Sequence, residues 1–305
     1  MLEGRVALVT GGGRGIGRAH CLELAAHGAT VVVNDLGVSL GGESAPSSEQ
    51  PADQVVAEIE AAGGLAVADH TSVSDWSGTG ELIARIVSDL GRLDVVVNNA
   101  GIIRDGMVVS LRESDLDAVL NVHLKGTFGL VHHACAHWRA EVKAGRAVSG
   151  RIINTTSGAG LVGNVGQAAY GAAKAGIANL TQVAGMEMAR YGVTVNAISP
   201  IAFTRMLADT PGFSDHDPKP GWDVMDPANS SPVVAWLASE AADWITGQVL
   251  RVEGNTVVRL RPWMLDEVHY TGAAGVPLRA EDIDAALRTA FGLRPPGLSA
   301  LSRLT

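Results

Sequence analysis

Short apolar runs alternate with amphipathic stretches along most of the chain. Arg5-Val-Ala-Leu-Val, Ala29-Thr-Val-Val-Val-Asn34, Leu65-Ala-Val-Ala, Leu93-Asp-Val-Val-Val, Arg151-Ile-Ile-Asn-Thr-Thr156, Val193-Thr-Val-Asn-Ala-Ile and Gln248-Val-Leu-Arg-Val have strand length. Helical spacing follows the first run through Cys21, Leu22, Leu24 and Ala25. It returns at Asp53 to Ala62, from Ser114 to Ala144, from Tyr170 to Tyr191 and from Val233 to Ser239. The longest stretch carries Leu116, Val119, Leu120, Leu124, Phe128 and Val131 on one side, as core or as a subunit contact. Such a βα alternation predicts an α/β protein with a doubly wound sheet. Glu281 to Phe291 reads as a short amphipathic helix in an otherwise less regular tail.

The junctions between runs carry the chemistry. Thr10-Gly-Gly-Gly-Arg-Gly-Ile-Gly17 sits between the first strand and the first helix. Glycines there permit a tight turn and close backbone approach to a pyrophosphate, and the helix N-terminus offers N–H groups to an anion. Gly11, Arg14, Gly15, Ile16 and Gly17 are the expected contacts. Asp35 ends the second run, about twenty residues on, where an acid binds ribose hydroxyls and repels a 2′-phosphate. That favours NAD over NADP, although Arg14 is a cation that a 2′-phosphate would accept. Asp69 to Ser72 lie where an adenine would rest, with Thr71 taken as the contact. Asn98-Asn-Ala-Gly101 follows the fourth run, next to the switch point of the sheet. Asn98, Ala100 and Gly101 are expected to border the cofactor.

Tyr170-Gly-Ala-Ala-Lys174 places a phenol and an ammonium one helical turn apart, on one face. A phenol with a pKa of about 10 is a poor base at neutral pH, and a neighbouring cation lowers that value. Ser157, at the end of the fifth run, supplies a hydroxyl for the same site. Two segments are long and rich in Gly, Ser, Pro or Asp: Leu36 to Pro51, and 201–231, which reads as a substrate lid.

Composition narrows the class. A 47 % hydrophobic content and the lack of charge-only runs imply an ordered globular chain. The net charge of −9 argues against nucleic acid as a partner. Lacking any long apolar stretch or leader pattern, the chain is expected to be soluble and cytoplasmic, without a membrane partner. Cys21 and Cys135 form no framework and are expected to be buried apolar residues. His132, His133 and His137 have a spacing that suggests a metal, but no carboxylate motif supports one, so no metal is expected.

From Arg5 to Gly254 these motifs together resemble the short-chain dehydrogenase/reductase family. Pro200-x-x-x-Thr204 and Ile245-Thr-Gly-Gln-Val-Leu-Arg-Val-Glu-Gly also fit it. Within the family, four stretches are similar to the (3R)-hydroxyacyl-CoA dehydrogenase unit of multifunctional enzyme type 2 and its bacterial relatives. They are Val33-Asn-Asp-Leu-Gly37, Ala100-Gly-Ile-Ile-Arg-Asp105, Val122-His-Leu-Lys-Gly126 and Gly163-Asn-Val-Gly-Gln-Ala168.

The resemblance implies a seven-stranded parallel sheet with helices on both faces, in a homotetramer or dimer. It implies a catalytic domain over 1–254 with 255–305 as an extension packed on it. It makes Ser157 the residue that positions the substrate oxygen, Tyr170 the acid/base, and Lys174 the residue that binds the nicotinamide ribose and tunes Tyr170. Ile201 and Thr204 would hold the nicotinamide end. One departure is His123, where many members have a relay asparagine. Asn121, about 200° away around the helix, is no substitute. An imidazole there can relay a proton or serve structure alone.

The expected reaction is NAD-dependent oxidation of a secondary alcohol, with 3-hydroxyacyl-CoA as the leading substrate. Arg251, Arg259, Arg261, Arg279 and Arg288 offer a basic patch for CoA, or simply a solvated surface. The rivals are a steroid or other hydrophobic alcohol, suited by Phe213, Trp222 and Met225, and a non-catalytic NAD(H) sensor.

Overall fold

A computed structural model describes residues 1–39, 41–42, 50–204, 221–261 and 279–291. About half of the expected lid and of the long loop after Asp35 therefore lies outside the described residues, Phe213 included. Met1–Leu260 and Arg261–Thr305 are separate compact units. In the second, Ala280–Phe291 is helical.

The first unit is built on one sheet ordered β3-β2-β1-β4-β5-β6-β7-β8. Its strands are β1 (Val6–Thr10), β2 (Thr30–Asn34), β3 (Leu65–Asp69), β4 (Val95–Asn98), β5 (Gly150–Thr155), β6 (Val193–Ile201), β7 (Val249–Glu253) and β8 (Thr256–Leu260). The first seven run parallel. Between β1 and β4 the winding reverses, and the crevice at their carboxyl ends is the natural ligand position.

Parallel strands need crossovers, which here are mostly helices: α1 (Gly15–Ala26), α2 (Pro51–Ala61), α3 (Trp76–Leu90), α4 (Glu113–Val119), α5 (Gly126–Lys143), α6 (Gly158–Val162), α7 (Ala168–Met188) and α8 (Ser231–Ala238). Alternate strand residues feed two cores. Ala7, Val9, Val31, Val33, Val95 and Val97 pack with Leu24, Val55, Ile59, Val234 and Leu237. Val6, Leu8, Val32, Val96 and Ile152 pack with Leu82, Ile86, Leu130, Trp138 and Met188. Burial on both faces is why these strands read as continuous apolar runs.

Three features differ from expectation. The sheet has eight strands, because Gly254 (φ 54°) and Asn255 make a two-residue hairpin that pairs Glu253 with Thr256 and returns the chain antiparallel. α3 has no counterpart in the apolar pattern read above. Asp75 caps it by accepting from the Gly78 N–H at 3.1 Å, and left-handed Gly91 ends it. The long stretch from 114 to 144 is not one regular helix: a π turn, Leu120–Lys125, joins α4 to α5.

Candidate active site

The glycine loop closes on itself. A Cβ at Gly17 would lie 2.1 Å from the Gly11 carbonyl oxygen, and one at Gly11 would lie 2.9 Å from the Ala100 Cα. Gly11 also has φ 62°, a left-handed value suited to glycine. Thr10 and Asn99 tie this loop to the end of β4. The Thr10 hydroxyl accepts from the Asn99 and Ala100 N–H groups at 3.1 and 3.2 Å. The Asn99 amide donates to the carbonyls of Thr10 and Gly11 at 3.1 and 3.2 Å. α1 starts without a side-chain cap, so its first-turn N–H groups suit an anion.

A groove of about 310 Å³ runs along this loop. Its walls bring together ten expected cofactor residues: Gly11, Arg14, Gly15, Ile16, Gly17, Asp35, Thr71, Ala100, Gly101 and Thr204. Ser72, from the stretch expected at the adenine, also lines it, and sequence reasoning missed Leu36, Val38, Val73 and Val122. Asn98 is not in the wall. It is buried at the end of β4 and donates to the Asn154 side chain at 2.8 Å, while Asn99 takes the wall position. Ile201, Tyr170 and Lys174 do not line this groove either.

Asp35 accepts from the Gly13 and Gly37 N–H groups at 3.0 and 2.8 Å. Both oxygens are thus held at the groove, with lone pairs remaining for a diol. Arg14 donates to the Val38 carbonyl at 3.2 Å. A left-handed glycine turn, an uncapped helix start and a fixed carboxylate along one groove fit a dinucleotide.

The second cluster stands on β5 and α7. Ser157 is the N-cap of α6, its hydroxyl accepting from the Ala159 N–H at 3.3 Å, and it lies beside the Tyr170 phenol. Lys174 is buried, donates one of its three N–H groups to the Thr155 carbonyl at 2.7 Å, and lies 5.6 Å from the Tyr170 ring centre. The Thr156 hydroxyl donates to the Lys174 carbonyl at 2.7 Å, which fixes α7 to the end of β5.

Burial pulls the Lys174 ammonium down to about 7. Desolvation pushes the Tyr170 phenol up, while the Ser157 hydrogen bond works against it. The phenol thus sits high, because desolvation outweighs the help from Ser157.

His123 lies in the π turn, buried, its ring edge-on to Tyr170 with centres 5.3 Å apart. Its Nε2 is 2.8 Å from the Ile102 carbonyl oxygen and 3.1 Å from the Ile102 nitrogen. Its Nδ1 is buried with no hydrogen-bond partner. Burial, helped by the charge of Lys174, depresses this imidazole to about 3, so it is neutral. Gly101 makes room for it, since a Cβ there would come 2.3 Å from the ring.

Other residues have duller surroundings. His132 and His133 pack on the Trp76 ring at 5.1 and 5.4 Å. Among the described residues, no group of three or more His, Cys, Asp or Glu is placed to hold a metal. Cys21 is buried, whereas Cys135 is only partly so. Met225 is buried and Trp222 exposed. No helix of the described residues is long and apolar enough to cross a membrane.

Residues 5–211 match the family model described as short chain dehydrogenase. The chain is 42 % identical over 297 residues to the hydroxyacyl-CoA dehydrogenase ChsB1 of Mycobacterium tuberculosis, covering 97 % of this chain and 91 % of that protein. It is 39 % identical over 281 residues to a peroxisomal hydratase-dehydrogenase-epimerase of Neurospora crassa, covering 92 % of this chain but spanning only 28 % of that protein. A crystal structure of a short chain dehydrogenase from Mycobacterium avium superposes with a TM-score of 0.85 at 47 % identity, covering 98 % of both chains.

Proposed function

Since the chain belongs to the short-chain dehydrogenase family, we propose that it is an NAD-dependent 3-hydroxyacyl-CoA dehydrogenase. The chain is an oxidoreductase of that family, interconverting a secondary alcohol and a ketone with a nicotinamide cofactor. The choice of NAD rests on Asp35, whose carboxylate stands where a 2′-phosphate would be repelled. The acyl-CoA substrate is supported by relatives named hydroxyacyl-CoA dehydrogenase and hydratase-dehydrogenase-epimerase.

The observation that carries the mechanism is the Ser157 hydroxyl and the Tyr170 phenol set together beside buried Lys174. A nicotinamide cofactor held by the glycine loop and Asp35 would supply the hydride chemistry. Ser157 and Tyr170 hold the substrate oxygen, and the Tyr170 oxygen takes or gives its proton. Lys174 stabilises the phenolate electrostatically from within the protein, where little water screens it. His123, neutral and fixed to the Ile102 backbone, holds the Tyr170 ring and the backbone at Gly101 in place. Exposed Phe128 on α5, with Val183 and Met186 on α7, supports a homotetramer or dimer packed through these helices. The reading is completed by a cytoplasmic location.

The test is absorbance at the NADH band with NAD and a panel of (3R)- and (3S)-hydroxyacyl-CoAs, free hydroxy acids, steroids and simple secondary alcohols. Preference for one CoA ester over its free acid and over the steroids is expected. Turnover of a steroid without any CoA rate would discard the substrate and keep the catalytic assignment.

A further inference from the structure

One end of the groove is walled by the chain that follows β3: Thr71, Ser72, Val73 and Ser74. β3 lies on the far side of β2 from β1, which places this wall past Asp35, away from the glycine loop. Its polar groups are almost all spent within the protein. Asp69, behind the wall, accepts four hydrogen bonds. Its Oδ1 takes the Asn34 amide at 2.6 Å and the Thr71 N–H at 2.9 Å. Its Oδ2 takes the Arg85 guanidinium at 2.7 Å and the Thr71 hydroxyl at 3.2 Å. A carboxylate has about four lone-pair sites, so none is left for a ligand. Burial alone would raise this carboxyl, yet the donors hold it below the usual range, so it has no proton to give either.

Thr71 is spent as well. Its carbonyl accepts from the Asn34 amide at 2.9 Å, and its hydroxyl accepts from Arg85 at 3.1 Å. The ring nitrogens of His70 lie 3.1 Å from the Asp35 carbonyl oxygen and 3.2 Å from the Asp53 carboxylate. The exception is the pair Ser72 and Ser74, whose hydroxyl oxygens are 2.9 Å apart. Either can donate to the other, so the pair keeps one O–H and several lone pairs for a ligand. A hydroxyl rotates to suit its partner, which a fixed carboxylate cannot do. Val73, Leu36 and Val38 add apolar surface to the groove.

We propose that the base end of the groove does not read the 6-amino group of adenine, so that a 6-oxopurine dinucleotide binds as well as the adenine form. The inference rests on the reading that this groove takes a dinucleotide with its ribose at Asp35. An open carboxylate at this end would demand a donor from the purine, and a 6-oxo group would set two acceptors against each other. Arg85, from α3, closes that carboxylate and is the specificity-determining residue. The Ser72–Ser74 pair can accept from a 6-amino group or donate to a 6-oxo group.

Fluorescence titration with NADH and with its hypoxanthine analogue, deamino-NADH, tests this without any substrate. The two dissociation constants are expected to agree within about threefold, whereas a fixed acceptor reading the amine would separate them by about tenfold or more. A preference of that size for NADH overturns the proposal and makes the Asn34 side-chain oxygen, also in the groove wall, the acceptor that reads the amine. Arg85→Met opens one site on Asp69 Oδ2 and is expected to raise the preference for NADH by ~3-fold or more. A ratio equal to wild type counts against Arg85 as the determinant. If NADPH binds in place of NADH, the NAD reading fails, and the same ratio taken with deamino-NADPH still judges the wall. Failure of the CoA panel leaves these titrations untouched.

Discussion

The groove along β1, α1 and β2 and the cluster on β5 and α7 do their work with different parts of the chain. The groove is made largely from backbone: the turn at Gly11, the uncapped start of α1 and the N–H groups that hold Asp35. Its tolerance is steric, because a single added carbon at Gly17 has nowhere to go. The cluster around α7 is made from side chains, and burial shifts three of them: Lys174 and His123 pulled down, Tyr170 pushed up. Its tolerance is electrostatic. On the proposed function, cofactor binding rests on shape that admits few substitutions, whereas the chemistry depends on burying charge at a cost in stability.

The division is broken most directly at Tyr170. Tyr170→Phe keeps the ring against His123 and removes only the oxygen. It is expected to lower kcat by ~10³-fold or more, the range for loss of a general acid/base. NADH affinity, read by fluorescence titration, should stay within about twofold, since the groove is untouched. Loss of both together would mean that groove and cluster are one unit.

Gly17→Ala probes the other side. The new carbon meets the Gly11 oxygen at 2.1 Å and the Asn99 amide at 2.5 Å. The loop must shift, at about 1–3 kcal/mol of folding stability, the usual penalty for overpacking. Cofactor affinity should fall with it, while the environment of Lys174 stays as it was. A variant that binds NADH as wild type would show the loop to be softer than its packing implies.

Asp35→Ser sharpens the contrast, because here a side chain acts within a backbone site. Removing the anion is expected to raise kcat/KM with NADP relative to NAD by at least ~10-fold, equivalent to about 1.4 kcal/mol. Arg14, donating to Val38 nearby, would then be the cation a 2′-phosphate meets. An unchanged ratio would move cofactor choice elsewhere.

The two regions also differ in how far they could be read from residues. The parallel strands were legible because burial on both faces leaves a continuous apolar run, and the glycine loop because its spacing follows from the turn. α3 was not. Trp76-Ser-Gly-Thr-Gly begins it with two glycines that weaken helix propensity, yet packing of Leu82, Ile83 and Ile86 prevails. β8 is a short, mostly exposed edge whose main signal is Gly254-Asn255. The π turn has no local signal, since it accompanies a hydrogen bond from His123 to Ile102, twenty-one residues away. Asn98 and Asn99 differ only in which side of the strand end they leave, a matter of one residue of register. At Tyr170, spacing reveals the cation one turn away but not how deeply the site is buried.

That depth makes a last prediction, smaller in size and opposite in sign to the others. An unfolded lysine holds its proton to about 10.5, whereas Lys174 in the folded chain holds it only to about 7. Between these values the unfolded chain binds more protons, so stability rises with pH across the window; below 7 both forms are charged and the full burial cost is present. Lys174→Met removes the buried charge but leaves the Thr155 carbonyl without its donor, a loss of about 1 kcal/mol. The net expectation at pH 7 is a gain of ~1 kcal/mol together with loss of turnover. In thermal or urea unfolding that gain should shrink as pH climbs from 7 towards 10.5, because wild type recovers what the variant never gave up. A variant less stable than wild type at pH 7, or a difference flat with pH, would mean that the lysine is held by compensating contacts rather than tolerated for its chemistry. The side-chain region would then be as well packed for stability as the glycine loop, and the contrast between the two would fail.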